Sequence, residues 1–343
     1  MSSTMSQILI ETILKKALRE MNDSPERSIR NLVDLALIFS NGRFQRIFFE
    51  VAQTTLQNEN SPYYDLIRDA VSHIDSQKLL TLGMNIGYNS CTKGAKIIRN
   101  LEDTCAFNIP WCISLQIASP IFHNQANTYR RIIEQGTELG IYTWHLFPTE
   151  VTCELLNLLR QYPDCAFILF CDSKDISQPL ISALCDLNNV LPLISRNEST
   201  PQACGLLRQH KLPYGIYYSY SEHNAESFID GSLFSRDKAL HAVFSLLYAS
   251  PDCPDVIRQT VYDFILNVRK EQKFHTIPWE FLYDTCFVDS IISEDSCFAA
   301  FTPSGQLSTP FRKNPLPDCS IFTHDLREIL QLAFPKNIQK ENI

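Results

Sequence analysis

Nowhere in the 343 residues does an apolar run reach the roughly 20 needed to cross a bilayer, so no membrane association is expected. The start, Met1 to Gln7, lacks a basic flank followed by an apolar stretch, and nothing in it reads as a secretion signal. An excess of basic residues is missing too: 30 Lys and Arg against 38 Asp and Glu leave a formal charge of -8 and a pI near 5.5. Nucleic-acid binders use clustered cations to displace counterions, so no nucleic-acid partner is expected. No Gly-Lys-Ser/Thr follows Gly83, Gly87 and Gly94, which removes a phosphate cradle of the P-loop kind. The twelve cysteines, scattered from Cys91 to Cys319, contain no C-x-x-C pair. That spacing predicts neither a disulfide framework nor a structural zinc site, but reduced thiols in a cytoplasmic protein.

What is there is the composition of a packed globular chain: 45% hydrophobic and 20% charged residues, with 21 Phe and 13 Tyr. Residues 1–78 read as a helical N-terminal domain. Ile10, Ile13, Leu14, Ala17 and Leu18 share one helical face, and Ile29, Leu32, Val33, Ala36 and Phe39 form a second stripe that Asn41-Gly42 ends. Ser24-Pro25 and Ser61-Pro62 are start signals, in which the hydroxyl caps free amides and the proline supplies a preset φ. A third helix carries Phe44, Ile47, Phe48 and Val51.

Residues 79–225 alternate short β-rich runs with helical ones. The runs are Leu80 to Tyr88, Trp111 to Ile117, Ile141 to Phe147, Cys165 to Cys171, Val190 to Ile194 and Tyr214 to Tyr220. Helical stretches such as Lys93 to Leu101, Thr128 to Glu138, Cys153 to Arg160 and Gln202 to Gln209 separate them. Strands joined in this way must cross over and lie parallel, and near-continuous apolar runs such as Phe167 to Phe170 fit strands buried on both faces. A barrel and a doubly wound sheet satisfy the pattern equally. Residues 226–343 read as a small C-terminal α+β extension, in which Cys297 to Phe301 and Gln306 to Phe311 flank the reversal Thr302-Pro303-Ser304-Gly305 ahead of a helix near Leu326 to Leu332.

Three segments carry a resemblance to one family. Ile117-Ala118-Ser119-Pro120-Ile121-Phe122-His123-Asn124 resembles the second strand and loop of the radical S-adenosylmethionine enzymes, whose loop reads G-G-E-P. Here Pro120 and His123 match, while Ser119 stands for the glutamate and Ile117-Ala118 for the glycines. Met84-Asn85-Ile86-Gly87-Tyr88-Asn89-Ser90-Cys91 resembles the first strand running into the cluster loop C-x-x-x-C-x-x-C, of which Cys91 alone is present. Asp295 to Leu307, with Cys297 and the Pro303 turn, is similar to the SPASM-type C-terminal extension, but the closing cysteine is missing and the next thiol is Cys319.

The resemblance favours the barrel: a partial parallel (β/α)6 TIM-like barrel with an all-helical N-terminal region. One thiolate cannot hold a four-iron cluster. The resemblance with its missing ligands thus implies a degenerate, pseudoenzyme-like relative without cofactor, acting as a binding protein for a peptide or protein partner. One alternative is a cluster-free barrel enzyme. In parallel α/β folds ligands gather at strand C-terminal ends, which selects His145, Asp172 and Arg196 as catalytic candidates, with Asn89, Ser119 and Tyr220 as ligand-binding ones. His145 and Asp172 would form an acid/base pair and Arg196 a carboxylate clamp. A second alternative is an active radical enzyme, with S-adenosylmethionine and a [4Fe-4S] cluster held by an unusual set drawn from Cys91, Cys112 and other thiols. Cys165 and Cys171 are expected as small core residues, and His123 as a packing residue.

Overall fold

The computed structural model describes residues 2–21, 23–40, 42–293, 295, 297–310, 316 and 319–336. The chain begins with helices: α1 (Ser2–Glu20), α2 (Pro25–Phe39), α3 (Arg43–Thr55), α4 (Pro62–His73) and α5 (Ser76–Gly83). Val33, Leu56 and Tyr64 form the core of this region, with Ile29, Phe49 and Ala52 packed against it. The Tyr64 hydroxyl donates to Leu56 O at 2.5 Å, tying α4 to the end of α3.

The two Ser-Pro starts behave differently. Ser61, at φ -61° and ψ 128°, accepts from Tyr63 N. Ser24, at φ -145° and ψ 73°, makes no side-chain cap bond, because that backbone does not aim its hydroxyl at the free amides. The stop at Asn41-Gly42 falls partly on Asn41, outside the described residues.

Leu80 to Tyr88 is not a strand. Asp75 caps α5 by accepting from Gln77 N and Lys78 N, and α5 runs without interruption into a π-helix (Met84–Gly94) and then α6 (Ala95–Glu102). The buried set Leu80, Met84, Tyr88, Cys91, Ala95 and Ile98 follows helical spacing, and it prevails over the alternation of Leu80, Leu82 and Met84.

The other five expected strands are present: β1 (Cys112–Ile117), β2 (Thr143–Pro148), β3 (Ala166–Cys171), β4 (Val190–Ser195) and β5 (Gly215–Tyr220). Helices α7 (Ser119–Glu138), α8 (Cys153–Arg160), α9 (Gln178–Cys185) and α10 (Thr200–Gln209) make the crossovers. Two further parallel strands lie past residue 225, namely β6 (Phe244–Ala249) and β7 (Ile277–Glu280), around α11 (Glu226–Ile229), α12 (Ser232–Arg236) and α13 (Asp255–Glu271). The chain continues through α14 (Phe281–Ile292), β8 (Ala299–Phe301), β9 (Leu307–Ser308) and α15 (Leu326–Ala333).

The strand order is β7-β6-β5-β4-β3-β2-β1-β8-β9. From β1 to β7 every new strand joins its predecessor, the order of a (β/α) barrel and not of a doubly wound sheet. The fold is therefore mixed α/β: a parallel-dominant partial TIM-like barrel with a helical N-terminus. The chain divides into two compact units, one of residues 1–41, 45–84 and 170–285, the other of 42–44, 85–169 and 286–343.

In the second unit β8 pairs parallel to β1, with Ile113 opposite Ala299 and Leu115 opposite Phe301, so a C-terminal strand covers the edge of β1. The expected hairpin forms, with Phe301 opposite Leu307, and Gly305 closes its turn at φ +77°. A Cβ there would meet the Phe322 ring at 2.6 Å, so the turn demands glycine twice over. Phe311, at the outer end of the expected hairpin, lies outside the described residues.

Candidate functional site

Strand alternation decides which β2 side chains face α7. Trp144 lies beneath Gly136 of α7, where a Cβ would come within 2.5 Å of the indole. His145 therefore points to the other face, beside Ser114 and Cys112 of β1. Its Nδ1 lies 3.3 Å from the Ser114 hydroxyl and 4.0 Å from Cys112 Sγ. Burial pushes the imidazole pKa down to about 4, which leaves it neutral at pH 7. His145 is the third residue of β2, below the strand's C-terminal end.

Ser119 sits at the rim, just past β1. Its amide donates to Thr149 Oγ1 at 3.2 Å and its hydroxyl lies 3.3 Å from the same oxygen, so the loops after β1 and β2 meet there. Asn89 is buried within the π-helix, where its Nδ2 donates to Asn85 Oδ1 and Asp164 O at 3.0 Å each. Asn85 in turn donates to Pro163 O and Cys165 O, both at 2.8 Å. These two amides hold the turn ahead of β3. His123 is 78% exposed, with Nδ1 3.1 Å from Glu154 Oε2, which corrects the expectation that it packs. The bonds described for Asn89, Ser119 and His145 share no partner.

The first unit gathers two of the expected residues around Asn197. Asp172, following β3, accepts from Asn197 Nδ2 at 2.9 Å and from Lys174 N at 3.1 Å. Desolvation raises its pKa, but the bonds from Lys174 and Asn197 outweigh it and hold the carboxyl below the usual range. Asp172 is accordingly an anion at pH 7, suited to accept hydrogen bonds or pair with cations, and a weaker proton acceptor than an ordinary carboxylate.

Arg196, just after β4, donates to Asn197 O at 2.7 Å and clamps Asp237 with Nε at 2.6 Å and Nη2 at 2.9 Å. The clamp expected for a ligand carboxylate is thus occupied by a carboxylate of the chain itself. Tyr218 adds a third bond to Asp237 at 3.1 Å. Tyr220, at the end of β5, is buried and donates to Glu280 Oε1 at 2.9 Å.

Sequence reasoning missed Asp237, Arg236 and Glu280. Glu280 ends β7 and is fully buried, its Oε2 accepting from Tyr283 N at 2.7 Å at the head of α14. Desolvation pushes its pKa up to about 7 against the bonds from Tyr283 and Tyr220. The available signal was the reciprocal pair Glu280 and Asp284, because Asp284 Oδ2 accepts from Glu280 N at 2.8 Å.

A four-iron cluster needs about four donors. The segment that resembles the cluster loop is a π-helix in which Cys91 is buried, its thiol pushed up to about 12 by desolvation. Burial likewise raises the Cys112 thiol, with Asp289, Cys286 and Cys91 adding to the shift. Among the described residues no group of three or more His, Cys, Asp or Glu is arranged to hold a metal ion. Cys297 lies 3.8 Å from the Ser293 hydroxyl, whereas Cys319 Sγ lies 4.0 Å from Ile329 O in α15. The donors present do not fit a cluster at either expected position. Cys165 and Cys171 are buried as expected, and desolvation raises both thiols to about 12.

No protein-family model matches the chain, and no curated protein matches it. Among solved structures it is similar to Streptococcus suis SuiB, at a TM-score of 0.50 and 10% identity over 68% of each chain. SuiB bound to S-adenosylmethionine matches at 0.49 and 10% identity, over 68% of this chain and 66% of that one. Native anSMEcpe with bound AdoMet and Cp18Cys peptide matches at 0.42 and 11% identity, over 66% of this chain and 85% of that one. The chain thus has a radical S-adenosylmethionine-like fold. One expectation is corrected: SuiB, whose fold this chain resembles, has also been crystallised with S-adenosylmethionine, so the expectation of a barrel without any cofactor does not stand.

Proposed function

We propose that this protein is a binding relative of the radical S-adenosylmethionine enzymes, recognising a peptide or protein partner on a barrel that has given up cluster-dependent chemistry. The observation that carries the reading is the π-helix Met84–Gly94, which stands where the resemblance puts a cluster loop and offers the single buried thiol Cys91. The structure of SuiB bound to its precursor peptide SuiA motivates the class of partner. S-adenosylmethionine is retained as a candidate ligand, and the hairpin after Cys297 is read as a remnant of a cluster-bearing extension. The binding surfaces are the strand ends within each unit, Ser119 with Thr149 in one and Asp172, Asn197 and Arg196 in the other.

Anaerobic incubation with iron and sulfide tests the reading, followed by iron counting and electron paramagnetic resonance. The expected result is no stoichiometric four-iron signal in the wild type and no change in Cys91→Ala. A reducible cluster of four irons per chain that disappears in Cys91→Ala refutes it. Equilibrium dialysis against labelled S-adenosylmethionine, without iron, then reports whether the barrel keeps that ligand.

A further inference from the structure

β4 and β5 pair as far as Ser195 opposite Tyr217, and Arg196 N adds a bond to Tyr217 O at 3.0 Å. Beyond this point the edge of β5 meets a side chain instead of a strand: Asn224 Nδ2 donates to Ser219 O at 3.1 Å. A cavity of about 440 Å³ opens there, within the roughly 300–1,000 Å³ typical of ligand pockets. Phe228 and Leu233 line it with apolar surface, Ser219 and Asn224 with polar groups, and Arg196 and Arg236 with positive charge.

The charges decide what it can hold. Arg196 is committed to Asp237 through two bonds. Arg236 Nε lies 3.8 Å from Asp237 Oδ1, too far for a hydrogen bond, and its side chain is 67% exposed. Two guanidinium groups thus face one carboxylate, and these three groups together carry one net positive charge. A single carboxylate balances it, whereas a phosphate dianion would be left with an uncompensated charge. The apolar wall beside Arg236 further calls for a hydrocarbon group attached next to the anion.

We propose that this pocket binds the C-terminal carboxylate of a peptide, with Arg236 gripping the carboxylate and Phe228 and Leu233 receiving the last apolar side chain. A planar guanidinium matches a carboxylate in two parallel bonds, and the Asp237 pair keeps Arg196 from competing for it. The assignment rests on the reading of the chain as a peptide binder and narrows that reading to one end of the peptide.

Calorimetric titration of the full chain with N-acetyl-alanyl-leucine, with the same peptide as its C-terminal amide, and with 4-methylpentanoate tests it. The free acid should bind, the amide should bind roughly tenfold more weakly or worse, and Arg236→Gln should weaken the free acid by a similar factor. Arg236→Lys should recover part of the loss, and Arg46→Gln on α3 should change nothing. Melting curves of the Arg236 variants should stay close to the wild type, since the buried Asp237 keeps its bonds from Arg196 and Tyr218 when the exposed Arg236 is changed. Equal binding of acid and amide overturns the pocket assignment while leaving peptide recognition standing. Binding of 4-methylpentanoate with neither peptide form overturns the choice of a peptide, and absence of binding by all three probes overturns both.

Discussion

Two buried ionisable side chains set opposite pH dependences on the fold. His145 has a folded-state pKa near 4, below its ordinary 6.5, so its contribution is fully present above 6.5 and is lost as pH falls toward 4. Glu280 is raised from 4.5 to about 7, so its contribution is complete below 4.5 and is lost as pH rises through 7. Each shift corresponds to about 3 kcal/mol in order of magnitude. Melting temperature recorded from pH 4 to pH 8 should show a flatter acid side in His145→Gln and a flatter neutral side in Glu280→Gln. Unchanged slopes in either variant would remove that residue from the account.

Gly94 makes a sharper prediction. A Cβ on it would collide with the carbonyl oxygen of Gly140, itself at φ +94°, so backbone passes backbone with no room for a side chain. Gly94→Ala should cost about 1–3 kcal/mol in urea denaturation, the ordinary range for overpacking, whereas Gly87→Ala, with open space around it, should cost less.

At the scale of elements, Lys78 of α5 shows how a helix replaced the expected first strand and stayed anchored. Its buried ammonium donates to Leu187 O at 2.6 Å, Cys185 O at 2.8 Å and Leu184 O at 3.2 Å, the carbonyls at the end of α9. A cation at a helix C-terminus offsets the partial negative charge there and satisfies groups that no intrahelical amide reaches. Lys78→Met takes the ammonium away from Cys185 O and Leu187 O, while Leu184 O keeps the bond from Leu187 N at 3.1 Å. Chemical denaturation should report a loss of roughly 2–4 kcal/mol, and a loss below 0.5 would mean that water replaces the ammonium.

The helices α1 to α4 and the strands β1 to β5 were legible because their signals are local. Ser61-Pro62 starts a helix by supplying an acceptor and a fixed φ, and Phe167 to Phe170 is a strand because it is apolar throughout and flanked by turns. Leu80 to Tyr88 was misread because Leu80, Leu82, Met84, Ile86 and Tyr88 alternate with Thr81, Gly83, Asn85 and Gly87 as in a strand, while Leu80, Met84 and Tyr88 also share a helical face. The capping oxygen of Asp75, lying just before the run, was the signal that would have decided it. The strand β7 was missed because only four residues carry its pattern, whereas β6, at six residues, is as long as the strands that were found.

At the scale of the molecule, the thiols offer a global test. Eight of the twelve cysteines are buried, Cys105, Cys185 and Cys286 are intermediate, and Cys153 is exposed, all without disulfide bonds. Reaction of native protein with a thiol reagent should label Cys153 first, and Cys91 and Cys112 only after unfolding, because both access and a raised pKa oppose attack. Fast labelling of Cys91 in the folded state would mean that the π-helix opens to solvent. No described helix is long and apolar enough to cross a membrane.

Covalent order alone determined a helical beginning, an alternation of strands and helices that must yield parallel pairing, and the want of cysteines at cluster spacing. Each of these is a property of neighbouring residues or of counting. Only the tertiary structure decided that Arg196 meets Asp237 across 41 positions and Tyr220 meets Glu280 across 60, and that Cys91 is enclosed in a helix. The physical reason is that a side chain's charge, access and reach depend on what the fold brings beside it, and such partners lie too far along the chain for any local pattern to encode.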